Sequence, residues 1–306
     1  MGVYTDKATL LALARASVAF IDGRGPRPTM PEGFAIPRRV SKANGPASVW
    51  PREDSTWRRE WRRFEIFLDS GGQNPQWDPI THTGNGKLPF AAFSAAPDIT
   101  CPGAGPCLRW CYSFKAWRYA APYFRQLQNT ILLRTVGGRA AIRDAVHAIE
   151  QGREFRLYVD GDFDSIETMA FWFELLGERE DLRAYGYSKS WPLFLKWAAS
   201  GRPWPSNYQL NASSGSKYGA AMLEKIKALP VYRGTFDAIP APYAMPTRAI
   251  EPQRWQQWAA ILRQRARDMG MGKVFVCPGK CGSCTPAGHA CGSSSFRGVP
   301  IVIGLH

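Results

Sequence analysis

With 306 residues, 45% of them hydrophobic, the chain can bury one large α/β domain or two small ones, and 12 Trp with 16 Phe exclude a disordered chain. No run reaches the roughly 18 apolar residues of a membrane span. Lys and Arg total 39 against 25 acids, and the net charge of +14 favours phosphate-rich partners, either nucleic acid or a phosphorylated substrate.

Taken in chain order, residues 8–21 (ATLLALARASVAFI) have the apolar look of a signal-peptide core. Asp6 precedes them, however, Arg15 interrupts them and no basic cluster leads them. Leu10, Leu11, Leu13 and Val18 share one face at helical spacing, which predicts an amphipathic helix of a cytoplasmic protein. Residues 22–56 are broken repeatedly by Gly and Pro and read as a linker or surface wrap. In STWRREWRRFEIFLDS (55–70), Trp57, Trp61, Phe64 and Leu68 recur at helical spacing. They predict a docking face, with Arg58, Arg59, Arg62 and Arg63 on a solvated back. Residues 1–80 are thus an irregular, partly helical extension.

From residue 81 a β-then-α rhythm begins. Strands are expected at 88–95, 154–159, 182–188, 208–211, 230–236 and 273–276, with an apolar strand in the tail VPIVIGL. Helices are expected at 115–135, 138–150, 165–178, 191–199, 216–228 and 252–268. Such alternation argues for an α/β fold of mostly parallel strands joined by crossover helices, a full or partial TIM-like (β/α) barrel over 81–306.

Seven cysteines form two tight groups, an odd number with a spacing unlike a disulfide framework. Cys101, Cys107 and Cys111 lie on a Gly/Pro-rich loop. Cys277, Cys281, Cys284 and Cys291 form a second segment, 277–291. Thiolates are soft ligands suited to iron–sulfur clusters or zinc. Three of them leave one iron of a [4Fe–4S] cluster open; four close a site, either a second [4Fe–4S] cluster or zinc. His82 is a candidate fourth zinc ligand for the first group, and His289 a bystander of the second. Cys277, Cys281 and Cys284 also spell C-x3-C-x2-C, the spacing of radical S-adenosylmethionine (SAM) enzymes. That motif follows an early strand in those enzymes, a position held here by 101–111.

Ligands of parallel α/β folds bind beyond the C-terminal strand ends. Those ends carry Asp160, Gly161, Asp162 and Asp164, then Ser188 and Lys189, then Asn211 and Ser213. One of Asp162 and Asp164 is also a candidate helix cap. A D-x-D followed by lysine further admits a metal-dependent nuclease.

One order of motifs runs through the chain: Thr83-Gly84 with Lys87; Cys101-Pro102, Cys107 and Cys111-Tyr112; Gly161-Asp162; Tyr187 with Lys189; and Cys277-Pro278, Cys281, Cys284 and Cys291. Over roughly 80–306 this order resembles the phage- and plasmid-borne "gene product eighty-eight" family, related to radical-SAM-type barrels. The resemblance implies a mobile-element origin and an iron–sulfur site, and supplies no established reaction. On this reading the protein is a radical-SAM-like enzyme served by a reductant protein, with SAM on the open iron. Asp160, Asp162, Lys189 and Asn211 would then be catalytic, and Tyr112, Gly161, Ser188 and Ser213 would contact the cofactor. The rival expectation is a non-catalytic nucleic-acid-binding maintenance protein with structural metal.

Overall fold

In a computed structural model the described residues are 7–30, 55–82, 88–282, 284, 285 and 289–305. The stretch 31–54 and the Thr83-Gly84/Lys87 motif lie outside them.

The two N-terminal helices form where apolar periodicity placed them. Helix α1 (Lys7–Ile21) buries Leu10, Leu13 and Val18. Helix α2 (Ser55–Asp69) buries Trp57, Trp61, Phe64 and Leu68, and leaves Arg58, Arg59 and Arg62 exposed. Both share one apolar cluster with α3 (Ala120–Leu132), where Phe124 meets Trp57, Trp61 and Phe64 at ring separations of 5.3 to 6.0 Å.

The remaining chain builds one sheet. Its strands are β1 (Ile80–Thr81), β2 (Ala91–Phe93), β3 (Glu154–Leu157), β4 (Arg183–Ser188), β5 (Tyr208–Ser213), β6 (Tyr232–Pro240), β7 (Phe275–Val276) and β8 (Ile301–Leu305). They lie in the order β1-β2-β3-β4-β5-β6-β8-β7, parallel throughout except for antiparallel β1. Helices α3 and α4 (Val136–His147), α5 (Ile166–Glu178), α6 (Trp191–Ala199), α7 (Ala220–Lys227) and α8 (Pro252–Asp268) make the crossovers.

The sheet is open, so the barrel expectation holds only as a mixed α/β fold with a mostly parallel sheet. Its edge strands β1 and β7 are two residues long each and pair with β2 and β8, not with one another. The first cysteine loop is also more structured than a plain loop, with 3-10 turns at Pro106–Arg109 and Tyr112–Arg118, so α3 starts later than expected.

Strand alternation sends Phe155, Leu157, Ala184, Leu210 and Ala212 into the large core beneath the helices. The opposite face carries Ala92, Tyr185, Tyr187, Phe236 and Ile301 in a second cluster. That face is covered by the β7–β8 connection, which has only a 3-10 turn (Ser294–Phe296) among its described residues. Its Ala290 and all four of its cysteines pack there.

Candidate metal centre

Both cysteine groups follow the C-terminal ends of strands, the first after β2 and the second after β7. All seven are free thiols.

The 101–111 loop is drawn across the ends of β4 and β5 by backbone contacts. The amides of Gly105 and Cys107 donate to the Gly215 carbonyl at 3.1 and 3.3 Å, and Lys217 donates to that of Gly103 at 3.0 Å. Glycine at 103 is required: a Cβ there would lie 1.8 Å from the Lys189 carbonyl oxygen. Cys101 thereby comes near Asp162, Lys189 and Cys111, and burial drives its thiol pKa far up, so that it is neutral.

Around it the predicted strand-end residues meet unevenly. Asp162 is buried and engaged at both oxygens: it accepts from Ser188 Oγ at 2.7 Å, the Lys189 amide at 2.7 Å and the Phe163 amide at 2.8 Å. It is a knot tying β3 to β4. The helix cap is neither Asp162 nor Asp164 but Ser165, whose Oγ accepts from the Thr168 amide at 3.1 Å; Asp164 pairs with Arg134. Gly161 (φ +83) backs onto Thr100, whose Oγ1 a Cβ would meet at 2.6 Å, so it serves close packing. Asp160 accepts from Gln126 Nε2 at 2.9 Å, and burial raises its pKa against the pull of Ser113, Arg156 and Ser94. Tyr158 precedes it at φ 60, a strained conformation for a bulky residue beside this rim. Lys189 is half-buried, and its Nζ donates to Ser213 Oγ at 2.9 Å. That single bond leaves its ammonium free for a ligand.

Asn211 lies elsewhere. Fully buried, it donates through Nδ2 to the carbonyls of Gly186 (3.1 Å) and Cys291 (2.9 Å), and its Oδ1 accepts from Arg233 Nε at 2.7 Å. It anchors the second cysteine segment to the sheet.

That segment is fastened a second time by buried His289. Its Nδ1 accepts from the Gly292 amide at 3.0 Å, so the proton sits on Nε2, which donates to Glu154 at 2.7 Å. The ring stacks on Phe90 at 5.3 Å, and both nitrogens are engaged, leaving none for a metal. His82 pairs with Asp78. Backbone amides of Gly279 and Ala290 donate to Cys277 Sγ and Cys284 Sγ, each at 3.4 Å. Burial pushes Cys277 up to about 12 and Cys291 to about 11, the latter despite the Tyr187 hydroxyl and Arg233, which favour its thiolate.

The donor set suits a metal: four soft ligands on one apolar cluster, glycine turns at Gly279 and Gly282 (φ +76 and +86), and amide N–H groups already aimed at sulfur. As the side chains stand, no group of three His, Cys, Asp or Glu among the described residues is gathered tightly enough to hold an ion. Loading would need the thiols to converge and lose their protons.

Strand spacing alone did not flag Arg156, which lies beside these thiols. It donates to Tyr112 Oη at 3.1 Å and covers the Tyr187 ring at 4.7 Å. The Tyr112 hydroxyl in turn donates to the Val159 carbonyl, although the residue is half exposed. The signal was a charge amid the alternating apolar residues of EFRLYV. A groove of about 690 Å³ lies apart from the thiols, on the outer layer between α4, α5 and α6, lined by Arg139, Arg143, Phe171, Lys196 and Arg202.

No helix among the described residues is long and apolar enough to cross a membrane. No curated protein and no solved structure matches the chain. The family model described as Gene product 88 matches residues 70–297, from the end of α2 through the last cysteine, and on that match the chain belongs to the Gene product 88 family.

Proposed function

We propose that the chain is an iron–sulfur protein and, more narrowly, a radical-SAM-like enzyme acting at the strand ends that carry its cysteines. The observation that carries this reading is the gathering of seven free thiols into two segments that follow β2 and β7, the first lying across the C-terminal strand ends, where such folds bind ligands, and the second against the sheet face beside it. Cys101, Cys107 and Cys111 would hold one [4Fe–4S] cluster; Cys277, Cys281, Cys284 and Cys291 would hold a second cluster or zinc. When bound, a cluster with an open iron supplies the electron that cleaves SAM reductively. The chain's own part is positional. Lys189, held by Ser213, offers a cation to a carboxylate or phosphate, while Asp162 fixes Ser188 and the Lys189 backbone. Asn211 secures the lid-like second segment.

The test is anaerobic purification with assay of iron, acid-labile sulfide and the visible spectrum. Brown protein that loses iron in Cys107→Ser and Cys281→Ser supports the cluster. Release of 5′-deoxyadenosine on reduction with SAM supports the narrower activity. Colourless protein without sulfide overturns both.

A second reading is favoured by the groove between α4, α5 and α6: a nucleic-acid-binding protein with structural metal. Four cations line that groove, and Glu167 and Glu174 offset them only in part. Binding of a single-stranded oligonucleotide should weaken steeply with salt and fall in Lys196→Glu and Arg202→Glu. No binding at low ionic strength rejects this reading.

A further inference from the structure

We infer that Arg156 and Arg233 are the charge-compensating residues of the four-cysteine centre: guanidinium groups fixed on the inner face of the sheet to neutralise its thiolates once metal is held. The inference rests on the metal reading above.

The starting point is an imbalance. Arg233 is fully buried, and burying a cation is costly without an anion beside it. Its hydrogen bonds go to Asn211 Oδ1 and to the carbonyls of Phe296 (3.1 Å), Val299 (2.8 Å) and Thr235 (3.1 Å), all uncharged. Arg156 is half-buried, donates to the Tyr112 hydroxyl, and keeps its Nε enclosed without a partner. Neither forms an ion pair with a carboxylate among the described residues. Asp160 and Asp237 feel the two charges from beyond ion-pair distance, and burial pushes both acids towards their neutral forms.

Both arginines instead approach the second cysteine segment, near enough to favour the Cys291 thiolate. Arg233 reaches the second segment through Asn211, which holds the Cys291 carbonyl. Arg156 lies over Tyr187, which packs in the same cluster as Cys277, Cys281, Cys284 and Cys291. Arg156, Tyr187, Asn211 and Arg233 come from the consecutive strands β3, β4, β5 and β6. Four thiolates around a zinc ion, or around an oxidised [4Fe–4S] core, leave two net negative charges. Two guanidinium groups match them.

The experiment uses the full chain, anaerobically reconstituted with iron and sulfide or with zinc, as wild type, Arg156→Gln, Arg156→Lys and Arg233→Gln. The readouts are the rate at which a chelator strips the metal and, for iron, the midpoint potential. Arg156→Gln should lose metal about 10–100-fold faster and become harder to reduce, because a lost cation disfavours the added electron. Arg156→Lys should recover most of both, and Arg233→Gln should behave like Arg156→Gln. Should Arg233→Gln fail to fold, the Arg156 pair decides alone, since its side chain is half-buried and makes one hydrogen bond. Wild-type release rate and potential in Arg156→Gln overturn the inference and leave the metal reading standing. Defects that lysine does not recover also overturn it, pointing to packing rather than charge. A wild type that takes up neither iron nor zinc overturns both.

Discussion

Gly103 shows how one absent side chain positions the first cysteine group. Its neighbour at 1.8 Å is main chain, so a methyl there must displace the loop or the Lys189–Ser190 backbone just after β4. Gly103→Ala should cost at least about 2 kcal/mol in urea unfolding and expose Cys101 to thiol reagents. Glu60 makes a different point. Buried at 2% exposure, it accepts from Trp77 Nε1 at 3.0 Å and from Arg59 and Arg63. In Glu60→Ala the arginines, already part-exposed, can turn to water, whereas the indole N–H loses its acceptor. The expected loss is about 1–3 kcal/mol in urea unfolding, against little for Arg59→Ala. At this scale the sequence located the polar strand ends but not their use. Nothing in the linear order says that Asp162 spends its lone pairs on Ser188, Lys189 and Phe163, or that Asn211 serves Cys291 eighty residues later. Arg156 and Arg233 escaped notice because each is the one basic residue of its strand, and only the folded face brings them towards the second cysteine segment.

Among elements, helices were the most legible. Residues 191–199 and 252–268 form helices with the expected bounds, and the faces of α1 and α2 bury the expected side chains apart from half-buried Leu11, because one apolar stripe at a 3.6-residue period admits little else. Strands β1 and β7 are short because pairing partners, not local pattern, set their length. One device joins α4 to β4. Arg179 donates to the carbonyls of Val146, His147 and Ile149 at the end of α4, and makes a two-pronged contact with Asp181. That contact holds the Asp181 pKa down to about 2. A depressed carboxylate stabilises the fold in full above its unfolded value near about 4, and the contribution fades as pH falls through about 2. Stability should therefore drop between pH 4 and 2, and Asp181→Asn should flatten that part of the profile. An unchanged slope in urea titrations across this window would sink the assignment.

For the molecule as a whole, the β-then-α rhythm was enough to give a parallel sheet with outer helices. It could not give the strand order, because β8 enters between β6 and β7 through hydrogen bonds that no local pattern announces. Closure of the sheet was likewise beyond reach. The net charge of +14 has a consequence for the fold itself. Like charges repel in the compact state, and salt screens them over roughly 8–10 Å. Moderate sodium chloride should thus raise the thermal midpoint of the metal-free chain at neutral pH, and a midpoint indifferent to salt would contradict this.

The insertion of β8 also bears on the order of events in synthesis. β7 emerges from the ribosome with no bonded neighbour, since its partner in the sheet is β8, and every cysteine of the second segment is translated between the two. Until β8 slots in, those thiols have no finished sheet to lie against. On the proposed metal reading, loading would be easiest during that brief interval of the protein's birth, before the last strand shuts the segment in.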